Sequence, residues 1–318
     1  MLSKLTIATR GSQLALWQAK FIAGRLREHF PILDIELNIV KTMGDRILDV
    51  PLAKVGGKGL FVKEIEEAIL SDQADFAVHS LKDVPGELVP ELTLGVIPER
   101  ADPSDCLVSC DYSDLDSLPQ GAVVGTGSLR RQAQILALRP DLNIKSLRGN
   151  LDTRIRKLEQ GDYQAIVLAS AGLQRLGVQA GRHCRLDPPD FLPAVGQGAL
   201  GIEYRRDNSE LSALLEVLNH EPSRIAVETE RSFLRELEGS CQVPLGGYAE
   251  IRNHAVFFTG FVADLQGTQL IRHSGTAERN EGARLGRDVA RQIIAAGGRA
   301  ILDQVQAAVD RHESASEE

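Results

Sequence analysis

The chain has 318 residues, 43% of them hydrophobic, only 4 cysteines and a formal net charge of −8. That length and apolar content suit two or three packed domains, and the acidic balance argues against nucleic acid or an anionic membrane as a partner. The start Met1-Leu2-Ser3-Lys4-Leu5-Thr6 has no charged-then-apolar leader, no apolar run nears the ~18 residues of a membrane span, and Cys106, Cys110, Cys184 and Cys241 form neither a disulfide framework nor a metal pattern, so a soluble, cytoplasmic protein with reduced thiols and no metal is expected.

Residues 5–8 read as a buried strand, and Ser12 as the N-cap of a helix whose apolar side takes in Leu14, Trp17 and Phe21. Between them, Thr9-Arg10-Gly11 leaves backbone N–H groups and the positive end of a helix dipole aimed at one spot. Arg10 and Ser12 are then either an anion socket or a plain cap with a surface charge. A second strand at 35–40 leads into a long glycine-bearing stretch, in which Lys54 and Lys58 belong to a lid over an anionic ligand or to a solubilised loop. Helical periodicity resumes at 61–70. A buried strand at 75–79 ends in Ser80-Leu81-Lys82-Asp83-Val84-Pro85. Open α/β sheets collect ligands at the carboxyl ends of strands, which is where Ser80, Lys82 and Asp83 fall, although an Asp near a Pro also serves ordinary turns.

The pattern restarts after Arg100-Ala101-Asp102-Pro103. Residues 122–125 form a strand, Thr126-Gly127-Ser128 a turn and Leu129-Arg130-Arg131 a helix head, repeating the first socket. Two such sockets facing each other suit a two-domain protein that closes on acidic ligands. Arg130, Arg131, Arg139, Lys145, Arg148, Arg154, Arg156 and Lys157 crowd this region with only Asp141 and Asp152 among them, marking a local anion site or a solvated basic face. Strands at 143–147 and 165–169 and a helix at 152–159 keep the α/β alternation. Residues 191–199 are too glycine-rich for regular structure and feed 200–204, a strand that returns to the first domain and creates a double-crossover hinge. After residue 211 come helices, a hairpin of 248–252 and 255–262 turning at Asn253-His254, a strand at 268–276 and helices near 283–295 and 300–309. Ahead of the hairpin, Glu238-Gly239-Ser240-Cys241-Gln242-Val243-Pro244 is a tight loop that either displays its thiol or buries it.

Taken together, Ala8-Thr9-Arg10-Gly11-Ser12, Val78-His79-Ser80-Leu81-Lys82-Asp83-Val84-Pro85, Gly125-Thr126-Gly127-Ser128-Leu129-Arg130-Arg131, Arg148-Gly149-Asn150-Leu151-Asp152-Thr153-Arg154, Leu192-Pro193-Ala194-Val195-Gly196-Gln197-Gly198 and the Cys241 loop closely resemble the porphobilinogen deaminase (hydroxymethylbilane synthase) family. They occur in the family's order and span nearly the whole chain. The resemblance implies an α/β fold: two periplasmic-binding-protein-like α/β domains around a cleft, plus a smaller α+β C-terminal domain. The expected boundaries are 1–99 with 200–217, 100–199 and 218–312, with a disordered tail at 313–318.

The resemblance further implies a transferase of tetrapyrrole biosynthesis, leading to haem or chlorophyll. It would condense four porphobilinogen units head to tail, with release of ammonia, on a covalent dipyrromethane primer, and hydrolyse the product to hydroxymethylbilane. Cys241 would carry the primer through a thioether. Asp83 would be the catalytic carboxylate, acting on the leaving amine and the cations that follow. Arg10, Ser12, Ser80, Lys82, Thr126, Ser128, Arg130, Arg131, Arg148, Arg154 and Arg175 would bind the acetate and propionate groups of substrate and cofactor, a task that suits the bidentate guanidinium fork. Gly127, where many members carry Ser, and Ser240, where Gly is frequent, are small departures. The family also suggests a monomer, located in the cytoplasm or, after loss of a transit peptide, the plastid stroma. The competing reading is a non-catalytic two-domain carboxylate-binding protein, because fold alone does not fix function.

Overall fold

The structure, a computed structural model, describes residues 2–46, 62–238 and 243–314. Lys54, Lys58 and Cys241 lie outside the described residues. The chain opens with β1 (Lys4–Arg10), α1 (Gln13–His29), β2 (Asp34–Val40) and a short α2 (Met43–Arg46). There follow α3 (Lys63–Leu70), β3 (Phe76–Ser80), a 3-10 turn at Leu81–Asp83 and β4 (Leu92–Val96). The next stretch is β5 (Asp105–Ser109), β6 (Val123–Gly125), α4 (Leu129–Leu138), β7 (Asn143–Lys145), α5 (Leu151–Glu159), β8 (Ala165–Ala169), α6 (Ser170–Leu176) and β9 (Arg182–Leu186). Then come β10 (Leu200–Arg205), α7 (Ser209–Leu215), α8 (Glu221–Glu236), β11 (Leu245–Arg252), β12 (Ala255–Ala263), β13 (Leu270–Glu278), α9 (Gly282–Ile293) and α10 (Arg299–Ser314). Among the described residues no helix is long and apolar enough to cross a membrane.

The strands form three sheets, ordered β2-β1-β3-β10-β4, β7-β6-β8-β5-β9 and β11-β12-β13. The first two repeat one plan. A parallel trio joined by helices (β1 with β2 and β3; β6 with β7 and β8) is completed by one strand that runs against it (β10; β5) and an outer strand that pairs antiparallel with that one (β4; β9). In each sheet the strand next to the trio is the one that arrives from the other unit: β5 enters after the first crossing and β10 after the second. The return strand expected at 200–204 is therefore β10, wedged between β3 and β4. Helices cover both faces of these sheets, so the central strands are rich in buried apolar residues on both faces, as with Ile7 and Ala8 or Ala165, Ile166 and Val167, all fully buried.

The third sheet is an antiparallel meander that packs against α8 and α9 around Phe233 and Phe258, while Phe261 packs with Ala133 and Leu192 of the second unit. Phe233 meets Phe258 edge to face at 5.1 Å, and a Cβ on Gly260 would come within 2.6 Å of the Phe233 ring, so glycine is what lets the helix sit this close. Both crossing segments are pinned to this third unit. Arg100 donates to the fully buried Glu230 of α8 through Nη1 (2.6 Å) and Nη2 (3.1 Å), and through Nε to Gln197 O (2.9 Å). Glu230 also accepts from Gly196 N at 2.7 Å and Ala249 N at 2.9 Å.

Several elements depart from the sequence expectations. The buried side of α1 is Gln18, Ala19, Ile22, Ala23 and Leu26, not the Leu14, Trp17, Phe21 stripe. Small alanines let the helix lie close to its sheet, while Trp17 stacks on Phe21 (5.2 Å) and receives the Arg175 guanidinium at 5.8 Å from α6 of the second unit. The aromatic stripe is thus an interface between units. Three strands have no counterpart in the expectations: β4, which is interrupted by Gly95; β5, which is too short for a clear period; and β9, whose Arg182-His183-Cys184-Arg185 run is that of a polar edge strand. The last helix, Arg299–Ser314, is longer than the expected 300–309.

Candidate active site

The site assembles where the first two sheets present the carboxyl ends of their parallel strands. At the end of β1, Ser12 adopts extended backbone angles and its hydroxyl accepts from Ala15 N (3.3 Å), starting α1 as a side-chain cap does. At the end of β3, the chain folds directly into the 3-10 turn that carries Lys82 and Asp83. Arg10, Ser12, Gln18, His79, Ser80 and Asp83 line one cavity. Inside it Gln18 Nε2 donates to Ser80 Oγ at 2.6 Å, a partner that the sequence reading did not identify. Among the described residues, Asp83 has no hydrogen-bond or ion-pair partner.

The second sheet repeats the geometry. Thr126 Oγ1 accepts from Ser128 N (3.1 Å), and Ser128 Oγ accepts from Arg131 N (3.4 Å), starting α4. The doublet that follows is buried. Arg130 is 4% and Arg131 5% exposed, and the two grip the fully buried Asp105 of β5 between them. Arg130 Nη1 reaches Asp105 Oδ2 at 2.7 Å, and Arg131 donates to Oδ1 through Nε (3.0 Å) and Nη2 (2.6 Å). Arg130 Nη1 also donates to Leu192 O and Arg131 Nη1 to Val167 O. Burial works against the charge on Asp105, but the charges and hydrogen bonds of the two guanidiniums override it and hold the carboxyl well below the usual carboxylate range. These two arginines are therefore not simply open carboxylate clamps. Arg131 spends donors on Asp105 and Val167, keeping one N–H on each terminal nitrogen for a ligand.

Gln197, in the second crossing, completes this arrangement. Its Nε2 donates to Asp105 Oδ1 (2.9 Å) and Pro103 O (2.8 Å), and its Oε1 accepts from Lys82 Nζ at 3.5 Å. One chain of contacts thus runs from the arginine doublet of the second unit to Lys82 of the first. Burial, and then the charge of Arg131, lowers the Lys82 pKa to about 8, with Asp83 and Asp105 opposing. Burial, and then Arg131, lowers Arg154 to about 10, with Asp83 opposing and Arg148 adding to the fall. Lys82, Asp83, Arg131 and Arg154 consequently share one dehydrated space across the cleft. Burial also lowers Arg148, and takes Arg175 to about 10 while its Nη2 donates to Gly198 O at 2.7 Å. Crowded, poorly hydrated cations of this kind are a strong attractor for carboxylates.

Not all of the basic run joins the site. Arg139 is held by Asp141 (2.7 Å) and the carbonyls of Leu115 and Leu118, and Lys145 lies over the Tyr163 ring. Asp105 and Gln197 were missed in the sequence. Asp105 opens a short apolar strand, and nothing local to it marks a carboxylate whose partner Arg131 lies 26 residues away. Gln197 did lie inside a recognised motif, and a polar amide in an otherwise apolar, glycine-rich turn was the available signal.

Two family models match the chain: "Porphobilinogen deaminase, dipyromethane cofactor binding domain" over residues 5–213 and "Porphobilinogen deaminase, C-terminal domain" over residues 224–295. The porphobilinogen deaminase of Nitratidesulfovibrio vulgaris strain DP4 is 58% identical over 315 residues, covering 96% of this chain and 99% of that protein. Those of Maridesulfovibrio salexigens (54%; 95% and 98% covered) and Brevibacillus brevis (50%; 96% and 98%) are also similar. Among solved structures, the periplasmic aliphatic sulphonate binding protein of Escherichia coli aligns with a TM-score of 0.39 at 14% identity, covering 75% of this chain and 71% of that one. With both family models matched in order and such relatives matched nearly end to end, the chain belongs to the porphobilinogen deaminase family.

Proposed function

We propose that the cleft between the first two sheets is the active site of this deaminase, with Asp83 as its catalytic carboxylate and Cys241 as the point where the dipyrromethane is attached. As a porphobilinogen deaminase the chain is a transferase, a hydroxymethylbilane synthase that joins porphobilinogen units with loss of ammonia, and the comparisons favour this over a non-catalytic carboxylate-binding protein. The observation that carries the site reading is a contrast between two aspartates. Asp105 is consumed by Arg130 and Arg131, whereas Asp83, beside Lys82 and Arg154, has no hydrogen-bond or ion-pair partner among the described residues, and among the cations of the cleft it is the carboxylate available for chemistry.

The residues present fit an acidic dipyrromethane. Lys82, Arg130, Arg148 and Arg154 are all depressed in pKa by burial, and Arg130 Nε is buried without a hydrogen-bond partner among the described residues. Bound there, the dipyrromethane supplies the pyrrole to which units are added. The protein's part is to orient and neutralise. Arg10 with Ser12, and Arg131, Arg148 and Arg154 with Thr126 and Ser128, would hold acetate and propionate groups from the two sides of the cleft. Arg175, Lys54 and Lys58 are further carboxylate partners in this reading. Asp83 accepts hydrogen bonds from pyrrole N–H groups, delivers a proton to the departing amine, and stabilises the positive charge left on the substrate. Gln18 fixes Ser80 so that its hydroxyl stays in the cavity.

The proposed domain boundaries are 1–99 with 200–217, 100–199 and 218–312, in keeping with the division of strands among the three sheets. The same reading makes the protein a cytoplasmic monomer that engages no nucleic acid, consistent with a net charge of −8. The test is Asp83→Asn. Ammonia release from porphobilinogen is expected to fall by about 10²- to 10⁴-fold with unchanged circular dichroism. Turnover near that of the wild type overturns the assignment.

A further inference from the structure

Beneath the cavity, on the α3 side of the first sheet, His79 and Glu203 are in contact and Glu66 lies close enough to feel the charge of both, with no role in the site as described so far. In the β3–β10 ladder His79 stands opposite Gly201 and Ala77 opposite Glu203, which makes His79 and Glu203 diagonal neighbours on one face. His79 Nε2 lies 2.9 Å from Glu203 Oε2, with side chains 5% and 0% exposed. The other Glu203 oxygen, Oε1, is buried and has no hydrogen-bond partner among the described residues. Helix α3 packs on the same strands and contributes Glu66. Burial and then the charge of Glu203 push the Glu66 carboxyl up to about 7, with His79 opposing and Glu67 adding to the rise. The remaining charged neighbours are Arg231 of α8, which feels Glu203, and Arg10 and Asp83 on the cavity side.

A buried carboxylate with a bare oxygen, a second carboxyl that holds its proton to neutral pH and an imidazole in contact with the first are the components of a coupled titration, in which protons belong to the group and not to one residue. His79 is the member that also lines the cavity with Asp83. We propose that Glu66, Glu203 and His79 form a proton-sharing triad under the active site, in which His79 passes the protonation state of the buried carboxylates to the cavity. Each addition breaks the substrate's C–N bond, the amine leaving as ammonia with the bonding pair. It makes one C–C bond and displaces one proton from the accepting ring carbon. That proton is taken by the Asp83 carboxylate left after the departing amine has been protonated, so that Asp83 is protonated again for the next unit with no net gain or loss of protons, and the His79–Glu203 pair with Glu66 sets the charge that Asp83 faces as it cycles. The three are positioning and proton-holding residues that do not touch the substrate, and their role rests on the reading of Asp83 given above.

The test uses the holoenzyme labelled with ¹⁵N-histidine, the His79 signal being assigned by its loss in His79→Gln. Glu66→Gln should move the His79 titration midpoint by about half a pH unit or more, and move one limb of the kcat–pH profile in the same direction while KM stays within about twofold. In a Glu203→Gln background the same Glu66→Gln change should no longer move His79. A Glu66→Gln protein whose His79 midpoint and kcat limbs both stay in place, with at most a change in melting temperature, overturns the triad. The His79 titration needs no turnover, so it judges the triad separately from Asp83→Asn, whose near-normal activity would overturn only the reading of the cavity.

Discussion

Asp105→Asn is the sharpest test of how the arginine doublet is held. The substitution keeps the side-chain volume but removes the negative charge between Arg130 and Arg131. The amide oxygen can still accept from Arg131, but the amide nitrogen then faces Arg130 Nη1, formerly 2.7 Å from Oδ2, as donor against donor. Each charge-assisted hydrogen bond of this kind contributes about 1.5–3 kcal/mol, and breaking a buried pair by removing one partner costs about 3–5 kcal/mol because a charge is stranded. With two cations stranded, we expect about 4 kcal/mol of lost stability and a melting temperature lower by on the order of 10 °C. Because the native carboxyl is held far below the ordinary range, its contribution should be constant from roughly pH 8 to 5 and fade below about pH 4, where the carboxyl of the unfolded chain takes up a proton while the native one stays ionised. Urea unfolding followed by circular dichroism, and by the fluorescence of the single tryptophan at the interface between units, measures the loss. A second variant guards the argument. Adding Arg130→Met to Asp105→Asn should cost less than the sum of the two single changes, since one stranded cation is gone. A single-variant loss under about 1 kcal/mol, or strict additivity in the double variant, would show that the doublet does not depend on Asp105.

Two further outcomes follow from the same geometry. Arg100→Ala leaves the fully buried Glu230 without its cation and removes the side-chain bonds that tie the first crossing to α8 and to Gln197 of the second, so a loss of about 3–5 kcal/mol and faster limited proteolysis near residues 97–104 are expected, and unchanged protease resistance would contradict the pinning. Lys82, lowered to about 8 by burial and Arg131, should react with an amine-selective reagent with a midpoint near pH 8, and a midpoint above pH 10 would place its ammonium in water instead of in the cleft.

How much of this was legible before the structure depends on the range of the interactions. The two capped helix starts were readable because a cap is local: Ser12 and Ser128 bond N–H groups three residues on, and a strand–turn–helix sequence carries that geometry within a dozen residues. The hairpin turn at Asn253, with φ of 55°, was equally local. By contrast, the partners that give the cleft its chemistry are far apart in the chain. Asp105 and Arg131 are 26 residues apart, Gln197 and Asp105 92, and His79 and Glu203 124, and no periodicity encodes such pairs. Arginines consumed by an internal carboxylate look the same in a sequence as arginines waiting for a ligand. The α1 stripe failed for a related reason: an interface between units and a core are both apolar, and only packing shows which of the two a stripe serves. Function became legible through the conjunction of motifs that mark the family, since each segment alone left its bland alternative open.

The central claim is that this basic cleft serves a primer fixed covalently at Cys241, and intact-protein mass spectrometry tests it most directly. The purified wild-type protein should be heavier than its sequence by one dipyrromethane, and brief exposure to porphobilinogen should add further increments, each one substrate less one ammonia. Cys241→Ala should have the bare polypeptide mass and gain none of these increments. A Cys241→Ala protein that keeps the extra mass, or a wild-type protein that never carries it, would contradict the account.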